Sequence, residues 1–373
     1  MVAEPVSAGM NEGALAEVER IFDQQIARGD HPGAALSVYR RGHLVLNLVG
    51  GYADPATGGP VTPETMFVLF SSTKPLASLA LLQQIDRGRA SLDAPVATYW
   101  PGFAPHGKER VTLRHVLTHQ GGFPTTPESL SWKQWRDWDA VVRAMENITP
   151  EFPPGTVSAY HALNHGWVCA ELVRQIDGRD FPTYLREEIC GPLGMSDTFV
   201  GLPAAEEEHV AVLVPMEDVE EAGRKTVETF NRPEVHQAVV PAGCGIATAR
   251  DMARFYAALA GGGELDGVRV IGRELLTTAL AVQVDGDEDR TLGSPVRRGL
   301  GFNLGGLPGP NRMGRSSTSH TFGHGGAGTS ICWGDTDLEL GFAFLPNGFR
   351  GPNTIVQRCE ELSDAVRAAV RPD

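Results

Sequence analysis

The 373-residue sequence lacks the long apolar run of a membrane-spanning chain and the leader of a secreted one. No window approaches the ~18 uninterrupted apolar residues typical of a transmembrane helix. Residues 1–5 carry neither a basic start nor an apolar core, so no signal peptide is predicted. Positive charge is also scarce, and the net charge of −14 argues against nucleic acid or an anionic membrane as a partner. We therefore expect a cytoplasmic protein.

Cysteine is scarce, and the usual metal and cofactor motifs are missing. The five cysteines include no C-x-x-C pair, so buried free thiols are predicted at Cys169, Cys190, Cys244, Cys332 and Cys359. Two histidine pairs have the i, i+4 spacing of zinc ligands but lack the glutamate of H-E-x-x-H, so no metal is expected at His115 and His119 or at His161 and His165. Without a P-loop, a dinucleotide-binding fingerprint between strand and helix, or a G-x-S-x-G elbow, neither a nucleotide cofactor nor an α/β-hydrolase fold is expected.

The composition that remains is that of a folded globular protein, with 42% apolar and 21% charged residues. An amphipathic helix is predicted over residues 11–28, and the strands of a hairpin over residues 34–39 and 44–49. The C-terminal part mirrors this pattern, with hairpin strands at 329–334 and 338–345 and then a final helix.

A helix and a hairpin near each end predict one antiparallel sheet built from both ends of the chain and flanked by helices, which is an α+β fold. The sheet-containing lobe is predicted to comprise residues 1–85 and 240–373, and an inserted, mainly helical lobe residues 86–239. Any functional site is expected in the cleft between them. Residues 285–290 are predicted to form an exposed charged turn.

The motif Ser71-Ser72-Thr73-Lys74 heads an apolar stretch that is predicted to be helical. The i, i+3 spacing places Ser71 and Lys74 on one helix face, and a helix N-terminus favours developing negative charge. A serine needs a neighbouring group to take its proton before it attacks a carbonyl, and Lys74 is placed to do so. Alternatively, Ser71 is a helix N-cap. Ser72 is a rival nucleophile, although no lysine follows it three residues later.

Two further segments follow S-x-x-K along the chain. Residues 153–162 read PPGTVSAYHA and bring Tyr160 before an apolar helical stretch, and residues 322–328 read FGHGGAG before a β-rich segment. In these motifs the chain resembles the serine β-lactamase and penicillin-binding superfamily, which carries S-x-x-K, Y-x-N and K-T-G in this order. It is most similar to the class C-like esterase branch, the family VIII carboxylesterases, where H-G-G often replaces K-T-G. The resemblance spans about residues 14–349 and implies a β-lactamase/transpeptidase-like fold.

The resemblance implies a role for each residue of the first two motifs. Ser71 would attack an acyl carbonyl and form a covalent acyl-enzyme. Lys74, buried beside it, would act as a base or hold Tyr160 as a phenolate. Tyr160 would serve as general base for the attack and general acid for the leaving group, provided that a neighbouring ammonium lowers its pKa from ~10.

The glycine-rich third motif is expected to form a strand edge beside the cleft, where glycines let substrate and backbone approach closely. The backbone amides of Ser71 and Ala327 would form the oxyanion hole. His324, Gly325 and Gly326 would line the substrate site, and His324 could also bond the catalytic tyrosine. The alternative is a flexible turn between two strands.

Two positions depart from the β-lactamase pattern. Ala162 replaces the asparagine of Y-x-N, and His324 replaces the lysine of K-T-G, so a fixed positive charge for a substrate carboxylate is missing. These departures favour esters, thioesters or neutral amides with short to medium acyl groups. The prediction is a serine carboxylesterase without a cofactor. The alternatives are an acyltransferase of the same fold in a natural-product pathway and, less favoured, a β-lactamase or a non-catalytic binding protein.

Three tryptophans recur every three residues, at Trp132, Trp135 and Trp138. Core packing is the simplest interpretation of this spacing. An aromatic lid over an acyl pocket is the alternative.

Overall fold

The computed structural model describes residues 4–309 and 311–371, so residues 1–3 of the segment inspected for a leader lie outside it. Its α-helices are α1 (Glu12–Ala27), α2 (Lys74–Asp86), α3 (Leu113–Leu117), α4 (Trp138–Asn147), α5 (Asn164–Asp177), α6 (Phe181–Leu185), α7 (Glu221–Phe230), α8 (Pro233–His236), α9 (Ala249–Ala260), α10 (Arg273–Leu280) and α11 (Pro352–Ala368). Short 3-10 helices span Pro5–Ala8, Phe70–Thr73, Val96–Thr98, Pro101–Phe103, Trp132–Gln134 and Ala204–His209, and a π-helical turn spans Arg186–Cys190. No helix within the described residues has the length and apolarity that crossing a membrane requires.

The strands are β1 (Gly33–Arg40), β2 (His43–Asp54), β3 (Gly59–Pro60), β4 (Phe67–Val68), β5 (Thr198–Val200), β6 (Val214–Pro215), β7 (Gly245–Ala247), β8 (Glu264–Leu265), β9 (Val268–Arg269), β10 (Val284–Asp289), β11 (Ser294–Arg298), β12 (Asn303–Leu304), β13 (Thr321–Gly325), β14 (Ile331–Asp335), β15 (Leu340–Pro346) and β16 (Gly348–Phe349). Nine of them form one antiparallel sheet in the order β10-β11-β12-β13-β14-β15-β1-β2-β3. The pairing of β1 with β15, from Ala34 opposite Pro346 to Arg40 opposite Leu340, joins the two halves of the chain. The predicted α+β sheet built from both ends, with both of its hairpins, is confirmed.

Helices cover both faces of this sheet, because each strand buries apolar side chains that need a partner layer. On one face α1 and α11 pack together, with Leu15, Val18 and Phe22 of α1 and Ile355 and Leu362 of α11 in one buried cluster. On the other face α9 lies against β1, β14 and β15. The predicted first helix is confirmed, and the side chain of Asn11 caps it by accepting a hydrogen bond from the Ala14 amide at 3.1 Å.

The nucleophile motif lies where the helical segment between β4 and β7 meets the sheet. Helix α2 packs against α5 and also contacts β13. The segment between α2 and β7 contains α3 to α8 with only two short strands, β5 and β6. The division into two lobes at residues 85 and 240 stays a prediction. All five cysteines are buried and free, as predicted.

One element differs from the sequence prediction. Residues 285–290 are not a charged turn, because Val284–Asp289 forms strand β10 and pairs with β11. The charges of Asp285, Asp287 and Glu288 lie on exposed positions of this edge strand, whereas Asp289 is fully buried. Because residues 285–290 are mostly acidic, the sequence suggested solvent exposure for all of them. The partners that bury the Asp289 carboxylate are distant in the sequence.

Candidate active site

A strained turn presents the proposed nucleophile. Ser71 lies on the 3-10 turn Phe70–Thr73 directly before α2, and it is partly exposed. Phe70 has a φ of 47°, a left-handed conformation that is costly for a bulky residue and is often found at functional sites. Strand β7 supports the turn, since the Thr73 hydroxyl accepts a hydrogen bond from the Gly245 amide at 2.8 Å. The turn thus aims Ser71 away from the core.

Ser72, the rival nucleophile, points into the core. Its side chain is fully buried, and its hydroxyl donates to the His324 carbonyl at 2.9 Å. It also lies 3.0 Å from the hydroxyl of Ser330, which in turn donates to the Leu69 carbonyl. Ser72 therefore ties the nucleophile turn to β13.

The amine of Lys74 lies beside Ser71. Its Nζ is 3.2 Å from Ser71 Oγ, 2.7 Å from the Ala162 carbonyl oxygen and 2.9 Å from the Ala242 carbonyl oxygen. The side chain is only 1% exposed. Burial, and then the positive charge of Arg298, lower the pKa of Lys74 well below its ordinary value. The geometry and the burial both favour an uncharged amine that can accept a proton.

Tyr160 completes the cluster. Lys74 Nζ lies 4.6 Å from the centroid of the Tyr160 ring, and the phenol is a hydrogen-bond partner of the Ser71 side chain. Burial raises the pKa of Tyr160 to about 12, and the hydrogen bond with Ser71 and the charge of Arg298 only partly oppose this effect. The expectation that an adjacent ammonium lowers this pKa is therefore wrong for this site. Burial thus favours the neutral phenol of Tyr160 and the uncharged amine of Lys74.

The third motif approaches the nucleophile turn at its glycines. Gly326 follows the end of β13, and a Cβ there would lie 2.4 Å from the Leu69 carbonyl oxygen, so only glycine fits. This close contact brings the amide of Ala327 to the segment that carries Ser71. Within the described residues, neither the Ser71 amide nor the Ala327 amide donates to a protein acceptor. Two free donors at one edge are what an oxyanion hole requires.

His324 and Arg312 flank this strand end. His324 Nδ1 donates to the Gly325 carbonyl at 2.8 Å, which leaves the buried Nε2 as an acceptor without a partner in the described part of the chain. Burial lowers the pKa of His324 to about 3, so the ring is neutral. Arg312 Nη1 donates to the Gly326 carbonyl at 2.5 Å. His324 stands where the K-T-G motif has lysine. The guanidinium of Arg312 therefore places a positive charge beside the same strand.

Sequence reasoning missed the group that holds Tyr160. The Tyr160 amide donates to Asp289 Oδ1 at 3.0 Å, and Asp289 Oδ2 accepts from Arg298 Nη1 at 2.7 Å. Arg298 also donates to the Ser158 hydroxyl at 2.7 Å. Asp289 and Arg298 lie at the ends of a β-hairpin, and no local sequence signal connects them to residues 158–160.

The histidines of the two i, i+4 pairs have separate structural roles. His119, with a φ of 60°, accepts a hydrogen bond at Nδ1 from the His161 amide at 3.1 Å, and its ring lies 4.8 Å from that of Tyr160. His115 instead caps the start of α3 together with Thr112. In residues 4–309 and 311–371 no group of three or more potential ligands is arranged to hold a metal ion.

The three tryptophans take different positions. Trp135 is buried against Trp167 and Phe230, with ring centroids 6.2 and 5.8 Å away, so this residue packs in the core rather than forming a lid. Trp132 is partly exposed beneath the guanidinium of Arg232. Phe230 also packs on Phe70, which links this aromatic core to the nucleophile turn.

The position of the missing Y-x-N asparagine has a structural use. Ala162 contributes its carbonyl oxygen to Lys74, as described above. Asn164, two residues further on, donates to the carbonyl oxygens of Phe123 and Thr125 at 2.8 and 2.9 Å. It therefore fixes a neighbouring loop and does not replace the missing amide.

Most of the chain is similar to proteins that are already known. The family model described as Beta-lactamase matches residues 18–359. The protein named "Esterase/beta-lactamase LipL" from Mycobacterium tuberculosis (strain ATCC 25618 / H37Rv) is 32% identical over 372 residues, which cover 92% of this chain and 83% of the relative.

Two solved structures are similar over almost their full length. A penicillin-binding protein homolog from Caulobacter crescentus has a TM-score of 0.82 and 33% identity, covering 96% of this chain and 99% of its own. A family VIII carboxylesterase has a TM-score of 0.84 and 28% identity, covering 97% of this chain and 99% of its own.

Proposed function

This chain belongs to the beta-lactamase family, and we propose that within it the protein is a serine carboxylesterase that works through a covalent acyl-enzyme. The esterase names of the relative LipL and of the family VIII structure support this choice. The substrates are carboxylic esters with short to medium acyl groups.

The observation that carries the proposal is the environment of Lys74. An uncharged amine has two N–H donors and one lone pair. The carbonyl oxygens of Ala162 and Ala242, at 2.7 and 2.9 Å, use both donors. The lone pair then faces Ser71 Oγ at 3.2 Å, which is the position of a general base. This arrangement favours Lys74 over Tyr160 as the group that takes the serine proton.

The acylation step follows from these positions. Ser71 Oγ attacks the ester carbonyl carbon while its proton passes to Lys74. The amides of Ser71 and Ala327 hold the negative charge that develops on the carbonyl oxygen. Tyr160, a neutral phenol, gives its proton to the departing alkoxide and recovers one from the Lys74 ammonium. The C–O bond of the ester breaks, the alcohol leaves, and the acyl group remains on Ser71.

Deacylation repeats these steps with water as the nucleophile. Lys74, again uncharged, accepts a proton from water as its oxygen attacks the acyl carbonyl. The same two amides hold the oxyanion, and the proton returns to Ser71 as the acid product leaves. Every group that moves a proton is thus restored at the end of the cycle.

The test is intact-protein mass over time after mixing with p-nitrophenyl butyrate. We expect a butyryl adduct that appears and disappears while nitrophenol accumulates. Ser71→Ala should form no adduct, whereas the matched variant Ser72→Ala should still form one because Ser72 faces the core. An adduct that persists after one equivalent of nitrophenol would favour the acyltransferase alternative. Turnover by Ser71→Ala would refute the proposal.

A further inference from the structure

A buried ion pair lies behind Tyr160, outside the catalytic groups themselves. Arg298 and Asp289 have side chains only 2% and 0% exposed, and their closest atoms, Nη1 and Oδ2, are 2.7 Å apart. The guanidinium carbon of Arg298 lies 5.8 Å from the centroid of the Tyr160 ring. Burying two charges is costly and requires a compensating function or excellent geometry.

The hydrogen bonds of the pair are unequally satisfied. Asp289 Oδ1 accepts three backbone amides, from Tyr160, Thr291 and Leu292, at 2.9 to 3.0 Å. Arg298 uses Nη1, but its buried Nε and Nη2 have no partner among the described residues. A buried cation with unpaired donors contributes little to folding stability, because each unpaired donor keeps its full desolvation cost. The positive charge of Arg298 instead acts on the pKa of Lys74 and of Tyr160, lowering both.

Strand pairing fixes the position of Arg298 relative to the proposed active site. Arg298 on β11 is opposite Asn303 on β12, and Asn303 is opposite Gly323 on β13, the residue before His324. The same arginine reaches the tyrosine loop through Ser158. One side chain thus connects the strand edge of the cleft with the loop that carries Tyr160.

We propose that Arg298, fixed by Asp289, is a positioning residue that holds Tyr160 against Lys74 and keeps Lys74 in its uncharged form. The inference deepens the proposed function and rests on it, because it assigns the control of the base Lys74. Lys74 Nζ and the guanidinium carbon of Arg298 lie 4.6 and 5.8 Å from the centroid of the same Tyr160 ring, and a buried cation beside an amine disfavours the ammonium. The direction of the Lys74 pKa agrees, since the charge of Arg298 is the next largest cause after burial.

Other groups also surround Lys74, and they set the background. From the elements packed against it, the titratable neighbours are His119, Tyr160, His161, His165, Cys169 and His324. Burial lowers the pKa of each of these histidines and raises that of Cys169, so these groups are neutral near pH 7. In the described part of the chain, the permanent charge that lowers the pKa of the amine is therefore that of Arg298, with Asp289 as its counter-ion.

The experiment is the pH profile of kcat/KM for p-nitrophenyl butyrate, whose acid limb reports the free-enzyme base. Arg298→Gln combined with Asp289→Asn replaces both charges of the pair with neutral amides. Because Arg298, and not Asp289, is among the charges that lower the pKa of Lys74, the acid limb should move to higher pH by on the order of one pH unit. Asp289→Asn alone leaves the cation uncompensated, so the limb should move to lower pH. The matched control is Arg297→Gln combined with Asp285→Asn, which removes an ion pair with a 2.7 Å contact on the same hairpin. It should leave the acid limb of the pH profile in place.

Opposite shifts in the two variants would support the inference, because structural damage alone has no reason to reverse sign. An equal loss of kcat/KM at every pH, with the limb unmoved, would overturn it and leave the pair a structural role. If the double variant loses its thermal unfolding transition, the single Asp289→Asn variant decides, and an unmoved or raised limb overturns the inference. Failure of the proposed function is distinguishable, because the wild-type protein would then form no adduct on Ser71.

Discussion

Replacing Gly326 with alanine would test the oxyanion hole without removing any functional atom. The new Cβ would lie 2.4 Å from the Leu69 carbonyl oxygen and 2.3 Å from Ser330 Oγ. Because non-bonded heavy atoms pack at roughly 3.5 Å, the end of β13 must move by about 1 Å away from the nucleophile turn. The amide of Ala327 moves with it.

A displacement of this size breaks one of the two oxyanion hydrogen bonds. The loss of one such donor costs about 3–4 kcal/mol of transition-state stabilisation, which is roughly 10²- to 10³-fold in kcat. KM should change little, because the bond forms mainly in the transition state. The assay is steady-state hydrolysis of p-nitrophenyl butyrate, with a thermal melt to confirm that the variant is folded.

The adjacent glycine provides the control. The tight contacts of a Cβ on Gly325 would be with the flexible side chain of Arg312, at 3.0 and 3.1 Å, and its distance of 3.6 Å to the Ser330 carbonyl oxygen is an ordinary contact. Gly325→Ala should therefore keep kcat within a few-fold of the wild type. A Gly326→Ala variant with wild-type kcat would refute the reasoning, since the strand end could then not supply an oxyanion donor.

Three further predictions concern single residues. Tyr160→Phe should slow hydrolysis of an alkyl ester by on the order of 10², but that of a p-nitrophenyl ester far less, because nitrophenolate leaves without a proton; equal losses would contradict the acid role. We expect the guanidinium of Arg312 to bind the free carboxylate of a dicarboxylic half-ester. Arg312→Gln should therefore lower kcat/KM for the half-ester roughly tenfold relative to the neutral diester, measured side by side, because this charged hydrogen bond is lost. Trp135→Ala should lower the free energy of unfolding by about 3–5 kcal/mol in urea denaturation without changing the preference for acyl-chain length, because Trp135 packs in the core.

The parts of the molecule that the sequence predicted are those with local signals. The cap, apolar stripe and stop of α1 lie within one continuous segment, and in any helical turn the i, i+3 spacing places Ser71 and Lys74 together. The first turn differs from the predicted α-helix because it is 3-10, and Pro75 then lies at the start of α2, where its missing N–H is harmless.

The parts that escaped prediction depend on contacts between distant segments. The bond between the Tyr160 amide and Asp289 spans 129 residues, and the charge pattern around Asp289 is indistinguishable from a solvated turn. The direction of the Tyr160 pKa also depends on burial, which competes with the favourable partners that the motif suggested. Arg312 precedes the third motif in the sequence and shows its relation to Gly326 only in the folded chain.

The joining of both chain halves in one sheet has a consequence for how the protein is made. Ser72 and the carbonyl of His324, which fasten the nucleophile turn to β13, are 252 residues apart. At synthesis rates of about 5–20 residues per second, that interval lasts roughly 10 to 50 s. During it, β1 has no β15 to pair with and exposes an apolar strand edge of the kind that promotes aggregation. The nascent chain therefore carries the proposed nucleophile long before the strand that completes the proposed site has been made, and we expect activity only once the last hairpin has docked.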